Sequence, residues 1–401
     1  MNRRVLATSA TAIVFALALS GCVAKADLAD AVAVDITDDA CAVSVDTAAA
    51  GAVTFSLENT GTDVNEFEIL ADDQLRIVGE KENVTPGQKV DFVAQLEPGE
   101  YYTACKFQQV GAPVGLAAFT VTGEASEVSA DEQELSDQAV TEYLAYVRSQ
   151  TSELLPLVQE LADAYAAGDD EAARALFATT RVPYERIEPT AEAFGDLDPK
   201  IDFREVDAVA DGIDWTGFHR IEKDLWPPAQ GDLNSDGQDA FLDWAPSTPE
   251  ERQAYADGLV ENITELHTLV TADDFTVSLA DISNGAIGLL DEVAAGKITG
   301  EEDWWSGTDL YDFSANVQGA YVAFGAVRAL AESKGDDGAA LATEIDDQFT
   351  ALNGLLGTYG SLDEGFVNYA ELTDADKKAL SDQVNALAEP LSQLTSTILG
   401  V

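Results

Sequence analysis

The spacing of apolar residues changes near residue 124, and one layer of secondary structure cannot serve both halves of the chain. Before that point AVAVDIT, GAVTFSLEN, EFEIL, LRIVGE, KVDFVAQL, GEYYTAC and LAAFTVTG alternate, separated by Thr-Gly, Pro-Gly and Gly-rich breaks. This pattern predicts an all-β sandwich of roughly seven short strands over residues 30–123. Beyond it, Val140, Tyr143, Leu144, Val147, Leu154, Leu155, Val158 and Leu161 mark one stripe at helical spacing. ERQAYADGLVENITELHTLV, SNGAIGLLDEVAAGKI, SANVQGAYVAFGAVRALAES and KKALSDQVNALAEPLSQLTSTIL continue the same period, so residues 139–401 are expected to form an all-α bundle. The acidic stretch 124–138 reads as a linker. A two-domain chain follows, which suits a length of 401 residues with 46% hydrophobic side chains.

The N-terminus reads Arg3-Arg4, an apolar run from Val5 to Leu19, then Leu-Ser-Gly-Cys22. That run is short for a permanent membrane span and is followed at once by acidic sequence. Residues 1–21 are therefore expected to be a lipoprotein signal peptide, Cys22 the lipidation site, and residues 22–29 a lipidated tether. On this reading the protein is extracytoplasmic, in the periplasm or at the cell surface, and meets the membrane through its lipid anchor only. The formal charge of −53 makes nucleic acid and anionic lipid surfaces poor partners. The same charge draws cations, but an acidic secretome suited to a saline habitat would carry it too. Charge alone does not make a metal protein.

Two short stretches point to a metal more specifically. In GFHRIEKDLW, residues 217 to 226, helical plotting puts Phe218, Ile221, Leu225 and Trp226 on one apolar arc and turns Arg220, Lys223 and Asp224 away. Glu222 falls inside the arc with His219 at its edge. A buried carboxylate needs a basic partner, a hydrogen-bond network or a metal ion. RVPYERIEPTAEAF, residues 181 to 194, repeats the geometry: Tyr184, Ile187, Ala191 and Phe194 form the arc, Glu188 matches Glu222, and Glu185 matches His219. Carboxylates and an i, i+3 histidine projecting inward from facing helices are a recurring way to build a bundle metal site. The other histidine, His267, has no such companion and reads as an ordinary helix residue.

DLNSDGQDAFLD, residues 232 to 243, places Asp232, Asn234, Asp236, Gln238 and Asp243 at positions 1, 3, 5, 7 and 12 of an EF-hand-like calcium loop, with Gly237 at the sharp turn. Asp239 occupies a position that is normally apolar, and an Asp at the last position binds less firmly than Glu. A solvated acidic insertion is the alternative.

EFEIL, GEKENVTPG, EPGEYYTAC, YERIEPTAEAFGDLD, GFHRIEKDLW and EVAAGKITGEEDWWSGTDLYDFSANVQG, taken in this order, resemble the EfeO family, the extracytoplasmic components of EfeUOB-type iron-uptake systems. The resemblance spans essentially the whole mature chain. It implies an N-terminal cupredoxin-like domain joined to an imelysin-like all-α domain, with Gly217, His219 and Glu222 as the G-x-H-x-x-E motif. It further implies a metal site at Glu185, Asp202, His219 and Glu222 with Glu188 as a near neighbour; Asp202 comes from the resemblance alone. Hard carboxylate oxygens with one imidazole suit iron, expected as ferric, and tolerate zinc, manganese or another divalent metal. The implied partners are an EfeU-type iron permease and an EfeB-type haem peroxidase.

The β domain contains no histidine, and Met1 is the chain's one methionine, so a blue-copper site is excluded. Its remaining candidates are Cys41, Cys105, Glu66, Glu68, Glu80 and Glu82. After lipidation of Cys22 the two other thiols make an even count in an oxidising compartment, which favours a Cys41–Cys105 disulfide; a carboxylate-rich accessory metal site is the alternative. Two rival functions remain open to the sequence. One is an imelysin-like metallopeptidase, for which the usual H-E-x-x-H is absent. The other is a lipoprotein that binds acidic polysaccharide through a bridging metal, which the negative surface disfavours.

Overall fold

A computed structural model describes residues 31–72, 74, 77–107, 113–124, 128–242, 244–295 and 297–401. The leader, Cys22, the tether, Asp243 and residues 125–127 of the expected linker lie outside the described residues.

Among the described residues the β domain is a sandwich of nine strands: β1 (Val32–Ile36), β2 (Cys41–Val43), β3 (Thr47–Ala49), β4 (Gly51–Asn59), β5 (Asn65–Leu70), β6 (Ile77–Val84), β7 (Lys89–Leu96), β8 (Gly99–Phe107) and β9 (Val114–Thr122). One sheet has the order β2-β1-β4-β7 and the other β3-β9-β8-β5-β6. Alternation drives the packing: Val53, Phe55 and Leu57 of β4 meet Phe67 and Ile69 of β5 in the core. Strand β5 is buried at every position. Its core face holds Phe67 and Ile69, while Glu66 and Glu68 on the opposite face are also buried. The helical domain meets that face at Lys106, which pairs with Asp211 at 3.8 Å, and meets the edge strands β6 and β7, where Lys81 pairs with Asp291 and the Asn284 side chain donates to the Val93 carbonyl.

The described residues from 130 onward are mainly helical: α1 (Ala130–Ala166), α2 (Asp170–Glu185), α3 (Leu197–Asp202), α4 (Glu205–Asp211), α5 (Gly217–Leu225), α6 (Pro249–Thr271), α7 (Leu279–Ala295), α8 (Asp309–Ser333), α9 (Asp336–Leu356), α10 (Asp374–Leu391) and α11 (Leu394–Leu399). A two-stranded hairpin, β10 (Gly360–Ser361) with β11 (Gly365–Phe366), interrupts the helices. The predicted α1 stripe is buried at Tyr143, Leu144, Val147, Leu154, Val158 and Leu161, with Val140 and Leu155 flanking it. No helix among the described residues is long and apolar enough to cross a membrane.

Three local expectations change. Residues 130–138 are the first turns of α1 rather than linker. Ser129 caps the helix by accepting from the Glu132 amide, and Asp131 and Glu132 complement the positive end of the helix dipole, so these acids start a helix. The stretch 181–194 is not one helix: α2 stops at Glu185 and a 3-10 helix covers Glu188–Phe194. Pro189 has no amide to donate and disfavours helical backbone at Glu188. Finally, α5 is not amphipathic in place. Lys223 and Asp224, expected to face away, are buried along with Phe218, Ile221 and Leu225. Their charges are matched internally, Lys223 by Glu205 and Asp224 by Arg220 at 2.9 Å and the Tyr165 hydroxyl.

Candidate metal centre

The centre forms where α2, α3, α5 and α8 converge. Gly217 opens α5 with a positive φ of 83°, and a Cβ there would lie 2.1 Å from the Ile201 carbonyl oxygen. Only glycine lets α5 start this close to the end of α3. The approach brings His219 to Asp202, with Nε2 3.5 Å from Asp202 Oδ1 and 3.3 Å from Glu302 Oε1. The other ring nitrogen, Nδ1, lies 3.1 Å from Glu222 Oε2. Glu222 Oε1 accepts the backbone amides of Trp305 and Ser306 at 3.0 and 2.8 Å. A hydrogen-bond network thus satisfies the carboxylate that α5 aims inward.

The predicted residues meet in overlapping groups. Potential ligand atoms lie within 4.8 Å of one another in Glu185–Glu188–Asp202, in Asp202–His219–Glu302 and in His219–Glu222–Asp303. Asp202 and His219 are each shared, so Glu185, Asp202, His219 and Glu222 line one chamber with Glu188 beside it. A narrow cleft lined by Arg204, Trp215, Asn234, Trp304 and Trp305 reaches His219 and Glu222 from outside.

Two cations penetrate this chamber. Arg181, fully buried, pairs with Asp202, with Glu185 at 2.6 Å, Asp312 at 3.1 Å, Glu302 at 3.4 Å and Asp303 at 3.7 Å. The Phe218 ring lies 5.3 Å from its guanidinium carbon. Lys297 Nζ lies 2.7 Å from Glu188 and 3.4 Å from Glu185. Asn316 bridges the same two acids, donating to Glu185 Oε2 at 3.0 Å and Glu188 Oε2 at 2.6 Å.

These neighbours sort the protons. Burial opposes ionisation of Glu185 and Glu302, yet Lys297 outweighs it, helped by Arg181 at Glu185 and by His219 and Arg204 at Glu302; both acids sit below the ordinary range. Burial raises Asp202 despite Arg181, and raises Asp303 to about 6, with Arg181 opposing and Glu222 adding to the rise. Asp309 and Asp312 are pushed well above the usual carboxylate range, by burial first and then, with Arg181 opposing at Asp312, by Asp303. Burial and Arg181 disfavour charge on His219, but the Glu222, Glu302 and Asp202 carboxylates around its ring lift it to about 10. His219 Nε2, Asp303 Oδ1 and Asp312 Oδ1 are buried without a hydrogen-bond partner among the described residues. A hard cation would satisfy such atoms.

Sequence reasoning missed Arg181, Lys297, Glu302, Asp303, Asp309, Asp312 and Asn316. A signal existed for several. Arg181, Glu185 and Glu188 recur at i, i+4, i+7, and Asp309, Asp312 and Asn316 at i, i+3, i+7, each a polar stripe in apolar surroundings.

In the β domain Cys41 and Cys105 form a disulfide, with Cα atoms 5.6 Å apart, inside the sandwich core. Both leave the set of accessory ligands, since a disulfide sulfur is not a thiolate. Glu66, Glu80 and Glu82 do gather within 4.8 Å. Burial, with Glu80 nearby, pushes Glu66 well above the ordinary range. In the 232–242 loop the Gln238 carbonyl accepts the Asn234 amide, Asn234 Oδ1 accepts from Lys223 at 3.2 Å, and Asp232 and Asp236 accept the Ala229 and Gln238 amides. Each of these oxygens thus accepts a hydrogen bond from a backbone amide or from Lys223. His267 sits on α6 with Nδ1 3.0 Å from the Thr151 hydroxyl.

Residues 139–394 match the Imelysin (Peptidase_M75) family model, and residues 9–115 match the cupredoxin-like domain model. The iron uptake system component EfeO of Escherichia coli K12 is 38% identical over 392 residues, covering 97% of this chain and 96% of that protein. The Shigella flexneri protein of the same name gives the same figures. That of Escherichia coli O6:H1 is 38% identical over 374 residues, 92% of each chain.

Proposed function

Because the chain belongs to the imelysin family, in the EfeO branch that joins a cupredoxin-like domain to the helical one, we propose that it binds ferric iron outside the cytoplasm as a component of an iron-uptake system. The observation that carries the reading is the convergence of Asp202, His219 and Glu222 with Glu302 and Asp303, in a buried chamber where His219 Nε2 and Asp303 Oδ1 lack hydrogen-bond partners among the described residues. Oxygen-rich ligation with one imidazole favours a hard cation, and zinc or manganese are the expected competitors. Glu185 and Glu188 lie next to this set and complete its charge.

In this role the chain hands iron to an EfeU-type permease, with an EfeB-type haem peroxidase acting in the same system, and Cys22 holds it to the membrane through lipid. The deciding experiment is equilibrium iron binding to wild type and His219→Ala, with elemental analysis of protein taken from its native envelope. The proposal expects about one iron per chain in wild type and a loss of at least about tenfold in affinity in the variant. Wild-type affinity in His219→Ala would remove this chamber as the site.

A further inference from the structure

The two cations that enter the chamber differ in their freedom to leave it. Arg181 is fully buried, is gripped by Glu185, Asp202, Glu302, Asp303 and Asp312, and lies beside the rings of Phe218 and Phe177, 5.3 and 6.0 Å from their centres. Its planar fork is matched to fixed acceptors, so it is a permanent part of the site. Lys297 stands instead at the start of a short 3-10 turn, Lys297–Thr299, between α7 and α8. One flexible four-carbon stem carries its charge.

The surroundings of that ammonium are those of a bound ion. Lys297 Nζ lies 2.7 and 2.8 Å from the two oxygens of Glu188, 3.4 Å from Glu185 Oε2, 3.4 Å from Asn316 Oδ1 and 4.0 Å from Glu302 Oε1. Oxygens of Glu185, Glu188 and Asp202 approach within 4.8 Å of one another, and carboxylates so crowded cannot all ionise without a cation among them. An all-oxygen cage of carboxylates and one amide is also what a hard metal ion selects.

We propose that Lys297 is a resident counter-cation: its ammonium fills the oxygen cage of Glu185, Glu188, Glu302 and Asn316 while the centre is empty, and loading of the metal turns it out toward solvent. Binding is then an exchange of cations rather than a simple addition. The ammonium keeps the empty cage from repelling itself apart, and it lowers the affinity for any cation too weakly charged to displace it. Ferric iron, with the highest charge among the expected metals, competes best. This proposal rests on the metal-binding reading above.

The test uses the full chain with ferric nitrilotriacetate as the metal source. Lys297→Gln should melt several degrees below wild type without metal, recover the wild-type melting temperature with metal, and bind iron about tenfold more tightly. In wild type, reductive methylation of Lys297, followed by peptide mass spectrometry, should accelerate several-fold on loading. This labelling decides the matter even if Lys297→Gln fails to fold. Labelling that is unchanged or slowed by metal, or a variant destabilised equally in both states with no gain in affinity, overturns the proposal and marks Lys297 as a structural ion pair. His219→Ala separates the two ideas. If it loses iron while Lys297 does not respond, the exchange alone is wrong; if it keeps wild-type affinity, the metal reading and the exchange fall together.

Discussion

His219 Nδ1 lies 3.1 Å from Glu222 Oε2, one turn along the same helix, while the second oxygen of Glu222 is already taken by two backbone amides. The carboxylate is therefore oriented from both ends. Glu222→Gln keeps an acceptor for the amides but sets an NH2 group where the charge was. Iron affinity should fall by at least about tenfold, and the metal-free chain should unfold at a lower urea concentration, because the charge paired with His219 has gone. Iron titration and urea unfolding on the same preparation check this. Unchanged affinity would exclude Glu222 as a ligand.

The pH dependence of the metal-free protein should carry the signature of His219. Its folded pKa of about 10 stands above the free-imidazole value of 6.5. The pairing it makes with Glu222, Glu302 and Asp202 thus stabilises the fold fully below about pH 6.5 and is lost as pH rises through about 10. Metal needs the unprotonated nitrogen, so affinity should rise with pH over the same window, with a proton released on binding. His219→Gln should flatten both trends. Calorimetry in buffers of different ionisation enthalpy counts the proton.

Arg181→Met removes the cation shared by Glu185, Asp202, Glu302, Asp303 and Asp312. Leaving buried charges unpaired should cost about 3–5 kcal/mol. The loss should shrink near about pH 5, where protonation of the carboxylates relieves it. Denaturant unfolding at acid and neutral pH tests the sign; equal losses at both would mean that packing, not charge, is what Arg181 supplies.

The Cys41–Cys105 bridge closes a loop with a sequence separation of 64. Its removal in Cys41→Ala/Cys105→Ala should destabilise the β domain by about 2–4 kcal/mol. A soluble chain lacking Cys22 should show no titratable thiol. Two free thiols in aerobically purified protein would contradict the pairing.

Calcium at about 1 mM should leave the melting temperature unchanged, because Asn234 is held by Lys223 and Asp232 and Asp236 accept backbone amides. A shift that disappears in Asp232→Ala/Asp236→Ala would establish the loop as a calcium site.

The two-domain order was legible because hydrophobic period is a local property, carried by segments such as GAVTFSLEN and the α1 stripe from Tyr143 to Leu161. Half of the centre was legible for the same reason: His219 and Glu222 lie a turn apart, and an acid on an apolar arc is visible one helix at a time. Glu302 and Asp303 were not, since they lie in the turn before α8 and reach His219 only through the tertiary fold. Arg181 carries no such local mark, because an arginine in a helix normally faces water. Only the acids around it, drawn from distant segments, explain its burial. The amphipathic reading of α5 failed likewise, because Lys223 and Asp224 find partners on other elements.

The clamp on Glu222 has a consequence for how such a centre can change over time. Its two donors belong to the main chain at Trp305 and Ser306, not to their side chains. Nearly any residue brings an identical N–H to those positions; proline alone does not. The indole at 305 lines the cleft and can drift to tune its mouth while the carboxylate behind it stays aimed. At position 217 the reverse holds, since a single added carbon would strike the Ile201 carbonyl. The centre is thus tolerant of exchange on one side and closed to it on the other, and a screen of random variants should recover many residues at 305 but glycine alone at 217.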